Sequence, residues 1–181
     1  MGKINYTALR TREELVGFSC GNSSIDQLVA NSFYPNQYRQ IMAYKMSMCN
    51  HCVGFFSVSV VGISLENSDA SVAEYFYNAP SFAAVKLDYI AVDKRIQRNG
   101  IGTTTLEYIV QEARKLYKGW PVRLLVLDAV RDKVGWYEER GFEPINRADM
   151  DKVSPTVAMY LDLMPDDEKN VIIEKSEEYY V

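Results

Sequence analysis

From Leu87 to Thr103 the chain reads Leu-Asp-Tyr-Ile-Ala-Val-Asp-Lys-Arg-Ile-Gln-Arg-Asn-Gly-Ile-Gly-Thr, an apolar stretch that passes through a basic turn into helical spacing. Main-chain N–H groups at a helix start lack partners and the dipole there is positive, so such a turn can hold a phosphate. Gly100 and Gly102 have no Cβ, which lets the backbone approach a pyrophosphate and form an anion-binding nest. Arg95 and Arg98 can add charge-assisted bonds. Thr105 stands where a dinucleotide-binding turn would place its third glycine, and the Gly-Lys-Ser/Thr ending of a P-loop is absent. The local pattern thus supports two readings equally, a phosphate site and a plain strand-to-helix turn.

Other reactive residues are sparse. Cys49-Asn50-His51-Cys52 looks like half of a metal site, with Cys20 in reserve, but no second Cys-x-x-Cys or His pair exists. A turn between two strands is the plainer reading, joined at Asn50-His51. Three cysteines give no disulfide framework, and Cys49 and Cys52 lie too far along the chain from the glycine turn to support a covalent intermediate. No general base is evident. Asp128, read at the end of a strand facing the expected cleft, is the substrate-facing carboxylate to consider, with Asp132 and Glu138 nearby in sequence. Caps or solvated charges are the plain alternative for all three.

The elements that must position these residues read as a mixture of strands and helices. Ile4 to Leu9 forms a first strand. Ser23, Ser24 and Asp26 offer N-caps for a short helix after Gly21. Ile41 to Cys49 and Val53 to Leu65 are β-branched and aromatic, as hairpin strands are, and Glu66 to Ser81 is a polar connection. Ala83 to Val92 is a buried strand. Leu106, Ile109, Val110, Ala113 and Leu116 recur at helical spacing between Gly100 and Tyr117. Val122 to Leu127 is an almost wholly apolar strand of the kind covered on both faces. A short helix from Asp132 to Arg140, closed by Gly141, and strands at Phe142 to Ile145 and Val157 to Leu163 complete the order. The fold class is α/β (α+β), a mixed central sheet flanked by helices.

Length and charge bound the rest. The chain has 181 residues, which favours one domain. We read residues 1–164 as that domain and 165–181 as an acidic extension, whose six acids and two bases carry the whole formal charge of −4. The body is therefore neutral, and neither advertises nor forbids a basic patch for nucleic acid. No apolar run approaches the ~18 residues of a membrane span, and the N-terminus lacks a signal-like stretch, so a cytoplasmic protein is expected, with no membrane partner.

Val-x-x-x-x-Gln-x-x-Gly-x-Gly, Val92 through Gly102, resembles the acetyl-CoA signature of the GNAT acetyltransferases. The following long helix, the apolar strand ending at Leu127-Asp128, and Tyr137-Glu138-Glu139-Arg140-Gly141-Phe142 match that family in order, so the resemblance covers about residues 40–163. Phe18-Ser19-Cys20-Gly21 with Ile25-Asp26, and Val53-Gly54-Phe55-Phe56, are further similar to the TacT-like branch, toxins that acetylate the amino group of aminoacyl-tRNA.

The resemblance implies acetyl-CoA as donor and a mixed sheet whose central strands splay near Ala91. Ile90 and Val92 would pair with the pantetheine arm through their main chain. Gln97, Arg98, Asn99, Gly100, Ile101, Gly102 and Thr103 would hold the pyrophosphate through main-chain N–H groups. The Ile90 amide would face the developing oxyanion, and Tyr137 would protonate the leaving thiolate. An aromatic staple is the plain alternative for Tyr137. Direct attack by an amine without a base suits an α-amine, whose pKa is about 7.7–8.0, better than a lysine near 10.4. A tRNA acceptor needs a positive surface. Arg114, Lys115, Lys118, Arg123, Arg131, Lys133, Arg140 and Arg147 offer one, or are ordinary solvated helix faces. A homodimer rests on analogy alone. The rival function is a non-catalytic acyl-CoA sensor or interaction module on the same fold.

Overall fold

The computed structural model describes residues 2–64 and 81–171. Its strands are β1 (Asn5–Ala8), β2 (Met42–Met48), β3 (His51–Ile63), β4 (Phe82–Val92), β5 (Leu124–Val130), β6 (Glu143–Pro144) and β7 (Thr156–Asp162). Its α-helices are α1 (Ser23–Asn31), α2 (Phe33–Gln37), α3 (Ile101–Tyr117) and α4 (Val134–Glu138). The strands form one mixed sheet in the order β1-β2-β3-β4-β5-β7-β6. Among the described residues β4 and β5 make its one parallel pair. Connecting them takes the crossover through α3, as parallel pairing requires.

Alternation along the strands divides the core between two faces. On one, Leu106, Ile109 and Ala113 of α3 and Val134 and Tyr137 of α4 pack on Phe56, Val85, Leu125, Leu127 and Ala129. These α3 residues are three of the five at helical spacing; Val110 is half-buried beside them and Leu116 is exposed. The other face carries two apolar patches: Val29 of α1 packs with Ala43, Phe55, Tyr89 and Ala91, and Ala84, Leu124, Val126 and Tyr160 form the second.

Several local expectations are corrected. The β2–β3 hairpin turns at Cys49 and Asn50, with φ of 50° and 63°, because a two-residue type I′ turn needs positive φ at both central positions. That is one residue before Asn50-His51, and Cys-Asn-His-Cys is a hairpin tip. Among the described residues no group of three or more His, Cys, Asp or Glu could hold a metal ion. Helix α1 is capped by Asn22, whose side chain accepts from the Ser24 and Ile25 amides, and not by Ser23, Ser24 or Asp26. Asp26 instead accepts from the Ser19 hydroxyl and the Cys20 amide, both at 2.7 Å. Helix α2 was not legible, since a five-residue helix containing Pro35 has no period to read. Its buried Asn36 ties β1 to β2, donating to the Leu9 carbonyl at 3.0 Å and accepting from the Ala43 amide at 2.9 Å.

Strand β5 starts at Leu124 and runs to Val130, because Asp128 stays in register with Ala158 of β7. The connection read at Glu66 to Ser81 lies almost wholly outside the described residues, as do residues 172–181 of the acidic extension. The start of that extension is held to the body: the Tyr117 hydroxyl donates to Glu168, and Lys169 reaches Asp162 at 3.4 Å. No helix among the described residues is long and apolar enough to cross a membrane.

Candidate active site

Strands β4 and β5 stay paired for four residues, Ala84–Leu87 against Leu124–Leu127, and then part. They part where the β3–β4 register shifts between Ser57 and Val58, leaving Asp88 as the extra residue of a bulge that bends β4 away. The opening expected near Ala91 therefore begins three residues earlier. The Asp93 amide donates to the Val53 carbonyl at 2.9 Å. Alternation along the antiparallel ladder then turns the main chain of Ala91 toward β3, and the N–H and C=O groups of Ile90 and Val92 toward the gap. Gly54 allows the close approach on the β3 side, since a Cβ there would meet the Ala91 carbonyl oxygen at 2.2 Å.

Beyond Val92 the turn builds an anion nest. Arg98 and Gly100 have φ of 64° and 73°, while Asn99 between them is not in the positive region. Such alternation points successive N–H groups into one concavity. Gly100 is also the N-cap of the 17-residue α3, so the amides of Ile101, Gly102 and Thr103 start without helical partners. Side chains brace this shape from behind. Gln97 Nε2 donates to the Cys20 and Val92 carbonyls at 2.7 and 3.1 Å, and Asn99 Nδ2 to those of Ile96 and Gln97 at 3.1 and 3.3 Å. Gln97 and Asn99 thus offer a ligand their main chain, not their amides. Arg95 is taken by Asp93 in a two-pronged pair at 3.0 and 2.6 Å, which holds that carboxyl below its ordinary range. This leaves the exposed Arg98 for a phosphate. The space over Gly102 is open to Val92 and Trp136, 3.9 and 4.0 Å from where a Cβ would stand. A pyrophosphate fits this cradle, and a pantetheine arm fits the strand gap.

Tyr137 follows Trp136 on α4, and it is Trp136 that stands beside Gly102. Tyr137 is 8% exposed, packed edge-on against Phe142 at 5.5 Å and Trp136 at 4.8 Å. Its carbonyl accepts from the Arg140 and Phe142 amides, and Gly141 closes the turn at φ 82°. Burial pushes the phenol up to about 12, and burial likewise raises Tyr89 to about 12. Both stay protonated in the folded protein but ionise near 10.0 once exposed. Their contribution to stability is therefore complete below pH ~10 and lost as pH rises from 10 toward 12. Unfolding free energy from urea titration is expected to fall over that window, and less steeply for Tyr137→Phe. Parallel profiles for the two proteins would contradict the burial of this phenol.

The opposite face carries the acids. Between its two apolar patches runs a polar strip of Ser57, Ser59, Lys86, Asp88 and Asp128. Ser57 and Ser59 donate to the two oxygens of Asp88 at 2.8 and 2.7 Å, and Lys86 Nζ donates to Asp128 at 2.7 Å. Asp88 and Asp128 are the first residues of the two parted strands, one on each lip of the gap. Asp128 is thus not at a strand end, and its face is opposite that of Tyr137. The sequence does not single out Asp88, because a bulge depends on pairing with a distant strand; one acid interrupting an apolar strand is its local signal.

The basic residues are largely committed. Arg131 binds the main-chain carbonyls of Asp149, Met150, Lys152 and Ser154. Arg123 holds Asp162, Lys115 holds Glu112, and Lys133 holds Asp132. A cavity of about 610 Å³ between β2, β3 and the C-terminal half of α3, lined by Tyr44, Tyr108 and Trp120, lies away from the gap.

A family model described as an acetyltransferase (GNAT) domain matches residues 64–163, more than half of the chain. The chain belongs to the GNAT family. Its GNAT domain is an acetyltransferase domain. No curated protein matches it significantly in sequence. Among solved structures it is similar to one described as a bacterial toxin, with 16% identity, a TM-score of 0.72, and 90% of this chain and 92% of that one covered. AtaT complexed with acetyl-methionyl-tRNAfMet gives 14% identity and a TM-score of 0.71, covering 94% and 99%. AtaTR bound with AcCoA gives 14% and 0.69, covering 88% and 94%. At these identities the likeness is one of fold.

Proposed function

We propose that this GNAT enzyme passes the acetyl group directly to a primary α-amine, and that the amine is carried on an aminoacyl-tRNA, as in the TacT-like branch. The observation that carries the direct-transfer reading is the parted pair β4–β5, with the main-chain groups of Ile90 and Val92 turned into the gap. When bound there, acetyl-CoA supplies an activated acyl group. The nest from Gln97 to Thr103, with Arg98, holds its diphosphate; the Ile90 and Val92 main chain orients the arm, as an added strand would be oriented. The Ile90 amide is a donor for charge developing on the carbonyl oxygen. Tyr137, kept protonated by burial, gives its proton to the departing sulfur, and the proton that the amine nitrogen loses as the amide forms restores the phenol through solvent.

The polar strip supports the acceptor class. Asp88, Asp128 and Lys86 sum to one negative charge at the lips of the gap, which draws a cationic ammonium toward the acyl carbon. An α-ammonium, at pKa about 7.7–8.0, gives up its proton to water readily enough that no buried base is required. AtaT, a structural neighbour, is complexed with an acetylated aminoacyl-tRNA, which favours that acceptor over a free small amine. Residues 1–164 then form the catalytic body and 165–181 an acidic extension; a cytoplasmic location and a homodimer accompany this reading.

Calorimetric titration with acetyl-CoA is expected to show binding by the unaltered protein and loss of at least a hundredfold in affinity for Gly100→Glu, which puts a side chain and a like charge into the nest. Acetyl transfer to methionyl-tRNA should follow, falling steeply between about 50 and 200 mM salt. Binding without turnover on any amine would establish instead a non-catalytic acyl-CoA sensor. Binding unaffected by Gly100→Glu would remove the nest from the site.

A further inference from the structure

Helix α4 has only five residues, too few to keep its shape unaided, yet it carries the phenol on which the chemistry depends. Arg140, at the end of the same segment, supplies the anchor. One terminal nitrogen donates to the Trp136 carbonyl at 2.6 Å, the other to Thr103 Oγ1 at 3.3 Å, and the guanidinium carbon stands 4.3 Å from the centre of the Trp136 ring. Its Nε is buried without a partner. A buried donor left unsatisfied is unfavourable, so the guanidinium holds this place against a local penalty, through its other two nitrogens and the stack.

The two ends of this bridge are the two halves of the site. Thr103 lies in the first turn of α3, beside the amides that face the phosphate nest. Trp136 touches the space over Gly102 and meets Tyr137 edge-on. A diphosphate seated in the nest bears on the first turn of α3, the turn bears on Arg140, and Arg140 and Trp136 together fix the rotation of α4.

We propose that Arg140 is a positioning residue that couples occupation of the phosphate-binding turn to the placement of Tyr137. The inference rests on the acetyl-transfer reading above and adds to it a residue outside the signature. A planar fork stacked on an indole is what this bridge needs, and lysine, a point charge on a flexible stem, cannot replace it.

The chain has two tryptophans, and Trp120 is exposed, so a Trp120→Phe background leaves Trp136 as the single emitter. In that background acetyl-CoA is expected to change Trp136 emission. Adding Arg140→Lys should keep the calorimetric Kd for acetyl-CoA within about twofold and abolish most of the emission change. It should also lower kcat for acetyl transfer to an amino-acid amide about tenfold or more, with KM for acetyl-CoA unmoved. A rise in Kd matching the loss of activity would make Arg140 a plain phosphate ligand and overturn the proposal, as would an unchanged emission response and kcat. If Arg140→Lys melts early, Arg140→Gln, which keeps a planar group over the Trp136 ring but loses the fork, must show the same split of kcat from Kd; its absence overturns the coupling. Failure of the unaltered protein to bind acetyl-CoA would defeat the donor reading and this inference together, whereas binding with the wrong split defeats the inference alone.

Discussion

Tyr137→Phe is expected to lower the rate of acetyl transfer by about 10²–10⁴-fold, the span typical of losing a positioned general acid, while the calorimetric Kd for acetyl-CoA stays within about threefold. The substitution removes one oxygen and keeps the ring that packs on Trp136 and Phe142, so the packing of α4 is preserved. The phenol is buried among apolar groups, with burial as the cause of its raised pKa. It therefore stays protonated at any pH at which the protein works, and its effect on rate is through the proton it donates. The check is single-turnover release of CoA alongside calorimetry of the same preparation. Equal rates for the two proteins would leave Tyr137 as a packing residue and move proton delivery to water. A loss confined to Kd would put the hydroxyl against the cofactor arm instead of the sulfur.

Gly54→Ala is expected to be nearly as damaging, although Gly54 touches no ligand. Its Cβ would stand 2.2 Å from the Ala91 carbonyl oxygen and 2.3 Å from Met46 Cε. The methionine tip can swing away; the carbonyl belongs to β4 and can only move with its strand. Ala91 sits between the two residues whose main chain faces the gap, so the shift passes directly to Ile90 and Val92. Overpacking of this kind costs about 1–3 kcal/mol of stability, and a displacement near 1 Å at a reacting centre costs about a hundredfold in rate. Gly62→Ala, in the same strand but with nothing within 4 Å of the added atom, is the control and should leave both quantities nearly unchanged. Urea unfolding and kcat/KM of the two variants decide the matter. If they behave alike, the β3–β4 approach does not set the gap.

The parts of the architecture that announce themselves in sequence are those fixed by local period. The α3 stripe, the long hairpin and the alternation of strand with helix after Val92 are all periodic, and the glycine turn sits where a strand becomes a helix. What stays hidden depends on pairing between distant strands. The parting of β4 from β5 is set by a register shift against β3 at Ser57, and the lone acid in Leu87-Asp88-Tyr89 is its one local trace. For the same reason Asp128 reads as a strand end, when pairing of Ala129 and Val130 with Val157 and Thr156 of β7 carries the strand past it. Side-chain duties are the least legible of all. Gln97 belongs to a signature associated with phosphate, yet its amide is spent on the Cys20 and Val92 carbonyls. Arg131 reads as surface charge and serves as a clamp on the loop at residues 149–154. Arg140 reads likewise and bridges two helices.

The four-residue seam between β4 and β5 has a mechanical consequence. Across it the sheet divides into two leaves, β1 to β4 and β5 to β7, joined by that short run of parallel hydrogen bonds at one end and by the α3 crossover behind. At the other end the leaves are unzipped, and the exposed rungs are those of Ile90 and Val92. A molecule that fills the slit from the nest inward splints the two leaves, so that the donor acts as a removable strand of the fold.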